Sequence, residues 1–366
     1  MRIAVITFSN AFNYGATLQM YALQKKLKTL GAETFVIDYR SPSVSKSYKK
    51  NSFRSFFKIK NLYHIIFHNT YRKYYEDGFA HFWEDNIKFT YKTYYSFDEL
   101  KTLEDEFDCF ISGSDQVFNL RCSGNDYHYF LDFVSEKNKK YSYAASLGIT
   151  HFNEDNIDIY RKLLSSFKEI SFREKISMDL VNKNLKINGT YHIDPTLLLT
   201  GSEWRSISSN TLCCKEKYIL IYLISEDREI FKFARKLAKR ENYKIMYVND
   251  RLFKKTRMRN LRRVDPSQWI GLIDGASAVV TNSYHGLLFS LNLGKRVYPF
   301  YLKTNKEVNS RFDDFSNNFN LEYLFSDEYR ESINPDIWNK KINEFYNRLT
   351  NEKQRSNDYL MGLMHK

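Results

Sequence analysis

"RIAVITFSNAFNYGATLQMYALQKKLKTLGAETFVIDY", residues 2–39, decides the fold class. After Arg2, six residues, Ile3 to Phe8, form an apolar run of strand length, and Ser9 to Gly15 form a polar turn. An amphipathic helix follows, closed by Gly31, and "TFVIDY" starts a second strand. Strand, turn, helix and strand in that order make a parallel β-α-β unit. A strand apolar at every position, rather than at alternate ones, is covered on both faces, as strands of parallel sheets are. Such sheets hold ligands outside the carboxyl ends of their strands, so the loop Ser9 to Gly15 falls at an expected ligand edge, with Asn13 and Tyr14 as candidate ligand-binding residues.

The same alternation continues outward. Further strands are expected in "DCFISGS" (108–114), "YSYAAS" (141–146) and "EISFRE" (169–174), each ending in small or polar residues. The polar stretch 205–217 reads as an interdomain connection, after which "YILIYLI" restarts the pattern. Helix 226–240, strand "YKIMYV", helix "PSQWIGLIDGA", strand "AVVTN", helix "LLFSLNLG" and strand "RVYPF" complete a second unit. A chain of 366 residues exceeds one ordinary core. We therefore expect an N-terminal α/β domain at 1–204, a C-terminal one at 205–345, and a terminal helix at 346–366 packing back on the first domain.

Composition narrows the partners. Lys and Arg number 56 against 43 Asp and Glu, a net +13 that favours anionic ligands or surfaces. Much of the excess lies in an aromatic-rich insertion spanning 40–95, where nine Lys or Arg and no Asp or Glu fall between Arg40 and Tyr75. Residues 48–75 are expected either as a peripheral contact with an anionic membrane face or acidic glycan, or as an insertion packing its aromatics on the domain. His64 and His68 stand four apart there with no carboxylate between them, which favours a half-buried pair over a metal site. The four cysteines, Cys109, Cys122, Cys213 and Cys214, show no C-x-x-C spacing, so neither zinc nor a disulfide framework is expected. The first apolar run is too short for a signal peptide, and no stretch of ~18 apolar residues occurs. A cytoplasmic protein is the expectation.

Three segments carry candidate chemistry. In "TNSYHGLLFSLNLGKRV" (281–297), Ser283 is a candidate N-cap, and His285 and Gly286 fall in the first helical turn. The unpaired N–H groups and partial positive charge of a helix start attract phosphate or carboxylate, and a glycine lets the ligand approach the backbone. In "ISGSDQVFN" (111–119), Ser112, Ser114 and Asn119 can bind hydroxyl groups and Asp115 can accept a proton, although an ordinary turn with Asp115 as a helix cap fits equally. In "SFRE" (171–174), Arg173 projects past a strand end, where a guanidinium can bracket an anion or pair with a neighbouring carboxylate. No D-x-D pattern occurs, so metal-held nucleotide diphosphate lacks one common device and no metal is expected.

Together these segments resemble the polysaccharide pyruvyl transferase family. The likeness rests on the order of "FNYGATLQMYAL", "SGSDQVFN", "YAASLG", "SFRE", "DPTLLL", "TNSYHGLLFSLNLGKRV" and "NSRFDDF" along most of the chain. It implies two Rossmann-like parallel-sheet α/β domains facing a cleft, in the manner of glycosyltransferase-B enzymes. It implies phosphoenolpyruvate as co-substrate with no separate cofactor, and a saccharide, lipid-linked or free, as the acceptor that receives pyruvate as a ketal in cell-surface polysaccharide synthesis. Under it, Arg173, His285, Ser283, Gly286 and Arg311 bind the donor, and Asn13, Tyr14, Ser112, Ser114 and Asn119 bind the acceptor. His285 and Asp115 are the acid and base candidates, with Arg173 and His285 expected on opposite sides of the cleft. Two alternatives stand beside this reading. One is a nucleotide-sugar glycosyltransferase of the same fold; the other is an anionic-surface or nucleic-acid binding protein, which leaves the motifs unexplained.

Overall fold

The structure, a computed structural model, describes residues 1–42, 76–249, 257–303, 306–331 and 335–364. The expected membrane or glycan contact at 48–75, with His64 and His68, lies outside the described residues. The described chain forms two compact units, one of residues 1–42, 83–198 and 351–364, the other of 76–82 and the described residues of 199–350.

The first unit is built on a parallel sheet of β1 (Arg2–Ile6), β2 (Glu33–Tyr39), β3 (Phe89–Tyr94), β4 (Cys109–Ser112) and β5 (Lys140–Ser142), in the order β3-β2-β1-β4-β5. Strands β6 (Ile170–Phe172) and β7 (Gly189–Tyr191) pair with each other and join β5 and the segment after it through parallel bridges at Tyr141–Glu169 and Ala145–Phe172. The central strands are buried on both faces, as their unbroken apolar sequence requires. Between β1 and β2 the helix Tyr14–Thr29 starts on Asn13, whose side chain accepts the Ala16 N–H. That helix is buried on most of its surface from Tyr14 to Gln24.

The insertion expected at 40–95 ends earlier than the sequence suggested, because residues 89–94 are β3. Thr90 and Tyr94 turn inward, but the register against β2 slips between Val36 and Asp38, which leaves Tyr91 and Lys92 exposed. The slip breaks the alternation by which an edge strand is read.

The second unit repeats the plan with β8 (Tyr218–Tyr222), β9 (Lys244–Val248), β10 (Arg259–Leu261), β11 (Ala278–Thr281) and β12 (Arg296–Pro299), all parallel, in the order β10-β9-β8-β11-β12. In both sheets the chain starts at a middle strand, winds outward to one edge, then returns to wind toward the other. The switch points lie between β1 and β4 and between β8 and β11, where doubly wound sheets open a crevice at the carboxyl ends.

The boundary between the units falls at 198/199 rather than 204/205. Thr200 and Glu203 form a reciprocal capping box that starts the helix Gly201–Ser206, and Trp204 of that helix is fully buried with its ring 4.7 Å from Phe289. Burying an indole removes roughly 200 Å² from water, about 5 kcal/mol of gross stabilisation, which commits this stretch to the second core. The segment 205–217, expected as a connection, thus belongs to the second unit. The last helix, Pro335–Met364, has residues 335–350 in the second unit and 351–364 in the first. There Tyr359 donates to the Ser142 carbonyl at 2.9 Å, and Leu360 and Leu363 are buried.

Candidate functional site

In the second unit the site grows from the end of β11. The Thr281 hydroxyl donates to the Tyr222 carbonyl of β8 at 2.7 Å and accepts the Ser283 N–H at 3.0 Å, fixing the turn out of the strand. Ser283 is the N-cap of the helix Tyr284–Asn292, its hydroxyl accepting the Gly286 N–H at 3.2 Å. A methyl group on Gly286 would meet the Thr281 Oγ1 at 2.5 Å, so this turn accepts only glycine without rearrangement. His285, 8 % exposed, lies in the first turn with its ring edge-on to Tyr284 at 5.5 Å, and the Arg311 guanidinium stands 5.5 Å from the centre of that same Tyr284 ring. Four of the expected donor-binding residues, Ser283, His285, Gly286 and Arg311, are therefore grouped around one helix start at the β8/β11 switch point. The positive end of the helix, a cation and an imidazole converge there, a combination suited to a phosphate or carboxylate.

Sequence reasoning missed Asn282. Its side chain accepts the Ile224 N–H at 2.8 Å and donates to the Ser225 carbonyl at 2.7 Å, tying the loop after β8 to the loop after β11. A buried asparagine just past a strand end was the available signal.

In the first unit the expected residues gather at the β1/β4 switch point, but most are engaged within the fold. The Thr7 hydroxyl donates to the Ser114 carbonyl at 2.9 Å and accepts from Gln19 at 3.0 Å. Ser112 donates to the Tyr129 carbonyl at 2.7 Å, and Tyr14 is buried. Asn119 and Asn13 are N-caps, the former accepting from the Arg121 and Cys122 N–H groups. Asp115 does not cap a helix. It adopts a left-handed backbone (φ 84°), accepts its neighbour Gln116 N–H at 2.9 Å and stays partly accessible.

Arg173 takes the second of its two expected arrangements, pairing with neighbouring carboxylates. Instead of projecting from the strand end, its guanidinium is fully buried, 3.0 Å from Asp194 and 3.1 Å from Glu174, with Ser114 Oγ at 3.4 Å and Asp115 at 4.0 Å. Asp194 uses its other oxygen to accept the Thr196 N–H at 2.9 Å and hydroxyl at 2.7 Å, capping the short turn Pro195–Leu197. The "SFRE" and "DPTLLL" motifs are thus one buried ion network. A buried guanidinium is tolerated where carboxylates neutralise it, and Arg173 has two at contact distance, with Asp115 at 4.0 Å. Among the described residues no three His, Cys, Asp or Glu side chains group as metal ligands, and no helix is long and apolar enough to cross a membrane.

Known structures share this architecture at low identity. UDP-GlcNAc 2-epimerase from Neisseria meningitidis, solved bound to UDP-GlcNAc, is 12% identical with a TM-score of 0.52, covering 97% of this chain and 98% of its own. The S. aureus MnaA–UDP co-structure is 12% identical with a TM-score of 0.50, covering 97% and 94%. These likenesses show a glycosyltransferase-B-type fold. No curated protein sequence matches the chain. The sequence model described as polysaccharide pyruvyl transferase matches residues 13–304, a span holding every expected site residue except Arg311, and the chain belongs to that family of transferases.

Proposed function

We propose that the protein transfers the pyruvyl group of phosphoenolpyruvate to a saccharide acceptor as a ketal, in the synthesis of a cell-surface polysaccharide. The observation that carries this reading is the helix start at Ser283–Gly286 with His285 and Arg311 beside it, in a chain of this family. Phosphoenolpyruvate bears a phosphate and a carboxylate on one small frame and needs several donors converging on it.

Protonation of its methylene carbon makes the adjacent carbon oxocarbenium-like; one sugar hydroxyl adds there, and a second displaces phosphate. Of the two hydroxyl protons lost, one balances the methyl group formed and the other leaves on phosphate. His285 serves as anion ligand and acid, and Asp115, partly accessible and steadied by Arg173 at 4.0 Å, serves as a base. Direct donor contact falls to His285, Ser283, Gly286 and Arg311. Asn13, Tyr14, Ser112, Ser114 and Asn119 shape the acceptor edge, chiefly through the backbone they hold. Phosphoenolpyruvate is a co-substrate and no further cofactor is invoked. The chain would act in the cytoplasm, with residues 48–75 meeting the membrane face where lipid-linked acceptors are presented.

The test is phosphate release from phosphoenolpyruvate with diol-bearing saccharides, set against turnover of a panel of nucleotide sugars. Release with saccharide present supports the reading, and His285→Ala should then lower turnover ~100-fold. Turnover of nucleotide sugars alone would favour the second reading, a glycosyltransferase, which the nucleotide ligands named for the two solved neighbours keep in view.

A further inference from the structure

We propose that His128, held by Asp132, forms a saccharide subsite at the carboxyl edge of the first sheet and takes the proton of an acceptor hydroxyl through Nε2. This rests on the pyruvyl-transfer reading above.

Residues 126–132 are fastened across the switch point by the strands that define it. Tyr39, the last residue of β2, donates to Asp126 at 2.7 Å, and Ser41 donates to the same oxygen at 2.5 Å. Ser112, the last residue of β4, donates to the Tyr129 carbonyl at 2.7 Å. Phe8, just beyond β1, meets the Tyr129 ring edge-on at 4.9 Å. The short turn Tyr127–Phe130 is thus held over the ends of β2, β1 and β4, with Asp126 capping it by accepting the His128 N–H at 3.1 Å.

His128 Nδ1 lies 2.7 Å from Asp132 Oδ1. An ionised carboxylate only accepts, so the contact places a proton on Nδ1 and leaves the Nε2 lone pair in the neutral ring. Nε2 has no hydrogen-bond partner among the described residues and is not among the buried unpaired atoms, and the side chain is 20 % exposed. The ring is bordered by Tyr39 at 5.5 Å and by Phe97 at 5.8 Å, the latter 40% exposed. Tyr39 is itself buried, so the exposed Phe97 ring, beside an imidazole acceptor and a carboxylate, is the apolar surface that matches a pyranose, with its C–H groups against that ring and its hydroxyls toward nitrogen and oxygen.

The groups facing the imidazole are Asp126 and Asp132 from its own turn and Tyr39 from β2; Phe97 adds no charge, and Lys140 of β5 acts on Asp132. Burial disfavours the charged ring, but the hydrogen bond and charge of Asp132, with the charge of Asp126, outweigh it and raise the His128 pKa.

Ketal formation removes two hydroxyl protons, and Asp115 can take only one at a time. In the step assigned to His128, the acceptor O–H bond breaks as its oxygen bonds the ketal carbon. The proton goes to Nε2, Asp132 offsets the imidazolium charge, and the partly exposed ring returns the proton to solvent, from which the departing phosphate takes one.

The experiment compares the wild-type chain with His128→Gln and Asp132→Asn, using phosphoenolpyruvate with the methyl glycosides of galactose, glucose and mannose. In the glycoside that the wild type uses, His128→Gln should lower turnover ~100-fold with the KM for phosphoenolpyruvate unchanged. Asp132→Asn should move the acidic limb of the kcat/KM profile to lower pH, because a base acts when neutral and the variant lacks the charge that raised its pKa. Turnover within twofold of wild type in His128→Gln overturns the proposal while leaving pyruvyl transfer intact. If the wild type releases no phosphate, the donor reading fails, and saturation-transfer NMR on the same glycosides reads the subsite alone. Sugar-proton enhancement that His128→Gln abolishes supports it; absent or unchanged enhancement overturns it.

Discussion

Replacing Arg173 with alanine separates a structural strut from a ligand. The guanidinium, the Asp194 carboxylate and the Glu174 carboxylate are all essentially out of solvent, and the contacts are 3.0 and 3.1 Å. At an effective dielectric near 20 each such contact has a Coulomb energy of roughly 5 kcal/mol, largely cancelled by the desolvation of the charges that make it. Arg173→Ala removes the cation but not the desolvation of the two carboxylates that it neutralised, so about 3–5 kcal/mol should be lost. With an m-value of about 2–3 kcal/mol/M for a unit of this size, the urea midpoint of the first unit falls by roughly 1–2 M. Hydrogen exchange followed by mass spectrometry across a urea series reads this on peptides of β4 to β6 while the second unit serves as internal control. Adding Asp194→Asn to Arg173→Ala should restore part of the loss, because it removes one unpaired charge. A first-unit midpoint within ~0.3 M of wild type, with donor turnover down ~100-fold, would refute the strut and return Arg173 to the role of anion clamp.

Three other outcomes are expected. Gly286→Ala should lower the thermal midpoint of the second unit by several degrees, at about 1–3 kcal/mol, because the new methyl meets Thr281 Oγ1 at 2.5 Å; calorimetry checks it. His192 is stacked on Tyr359 at 4.3 Å and hydrogen-bonded to Ser171 at 2.8 Å, and burial pushes its pKa down to about 3. Since the unfolded chain binds the proton first, below about pH 6.5, stability should fall by about 2 kcal/mol as pH drops from 6.5 to 5, and urea titrations at the two pH values should show a smaller loss in His192→Gln. Leu360→Ala, at a fully buried position in the first unit, should cost about 2–5 kcal/mol in denaturant unfolding.

The parallel architecture was legible because β1, β4, β8 and β11 are apolar at nearly every position, β2 has the apolar run Phe35–Ile37, and helical spacing separates them. What escaped notice departs from that rule. Strand β3 is interrupted by a register slip, and β10 is the three-residue segment Arg259–Leu261 with only Leu261 buried. At the site, the Ser283 cap with Gly286 could be read locally, since a cap and its partner are three residues apart. Of the partners of Arg173, the adjacent Glu174 could be read and Asp194 could not, because Asp194 lies 21 residues on and is brought back by β7, and pairing buried charges is a tertiary event. The same holds for His128. Its contact with Asp132 is local, but its place over the sheet depends on Tyr39 and Ser112, which come from strands on either side of β1.

The terminal helix has a consequence for synthesis. The first-unit residues up to 198 are made well before Tyr359, Leu360 and Leu363, which complete that unit. At ~5–20 residues per second, translating the intervening ~150 residues takes on the order of 10–30 s. For that interval the face destined for Leu360, and the stack of His192 on Tyr359, stay uncovered in the nascent chain. Vectorial synthesis therefore leaves this half without part of its own core until Tyr359 to Leu363 have followed it.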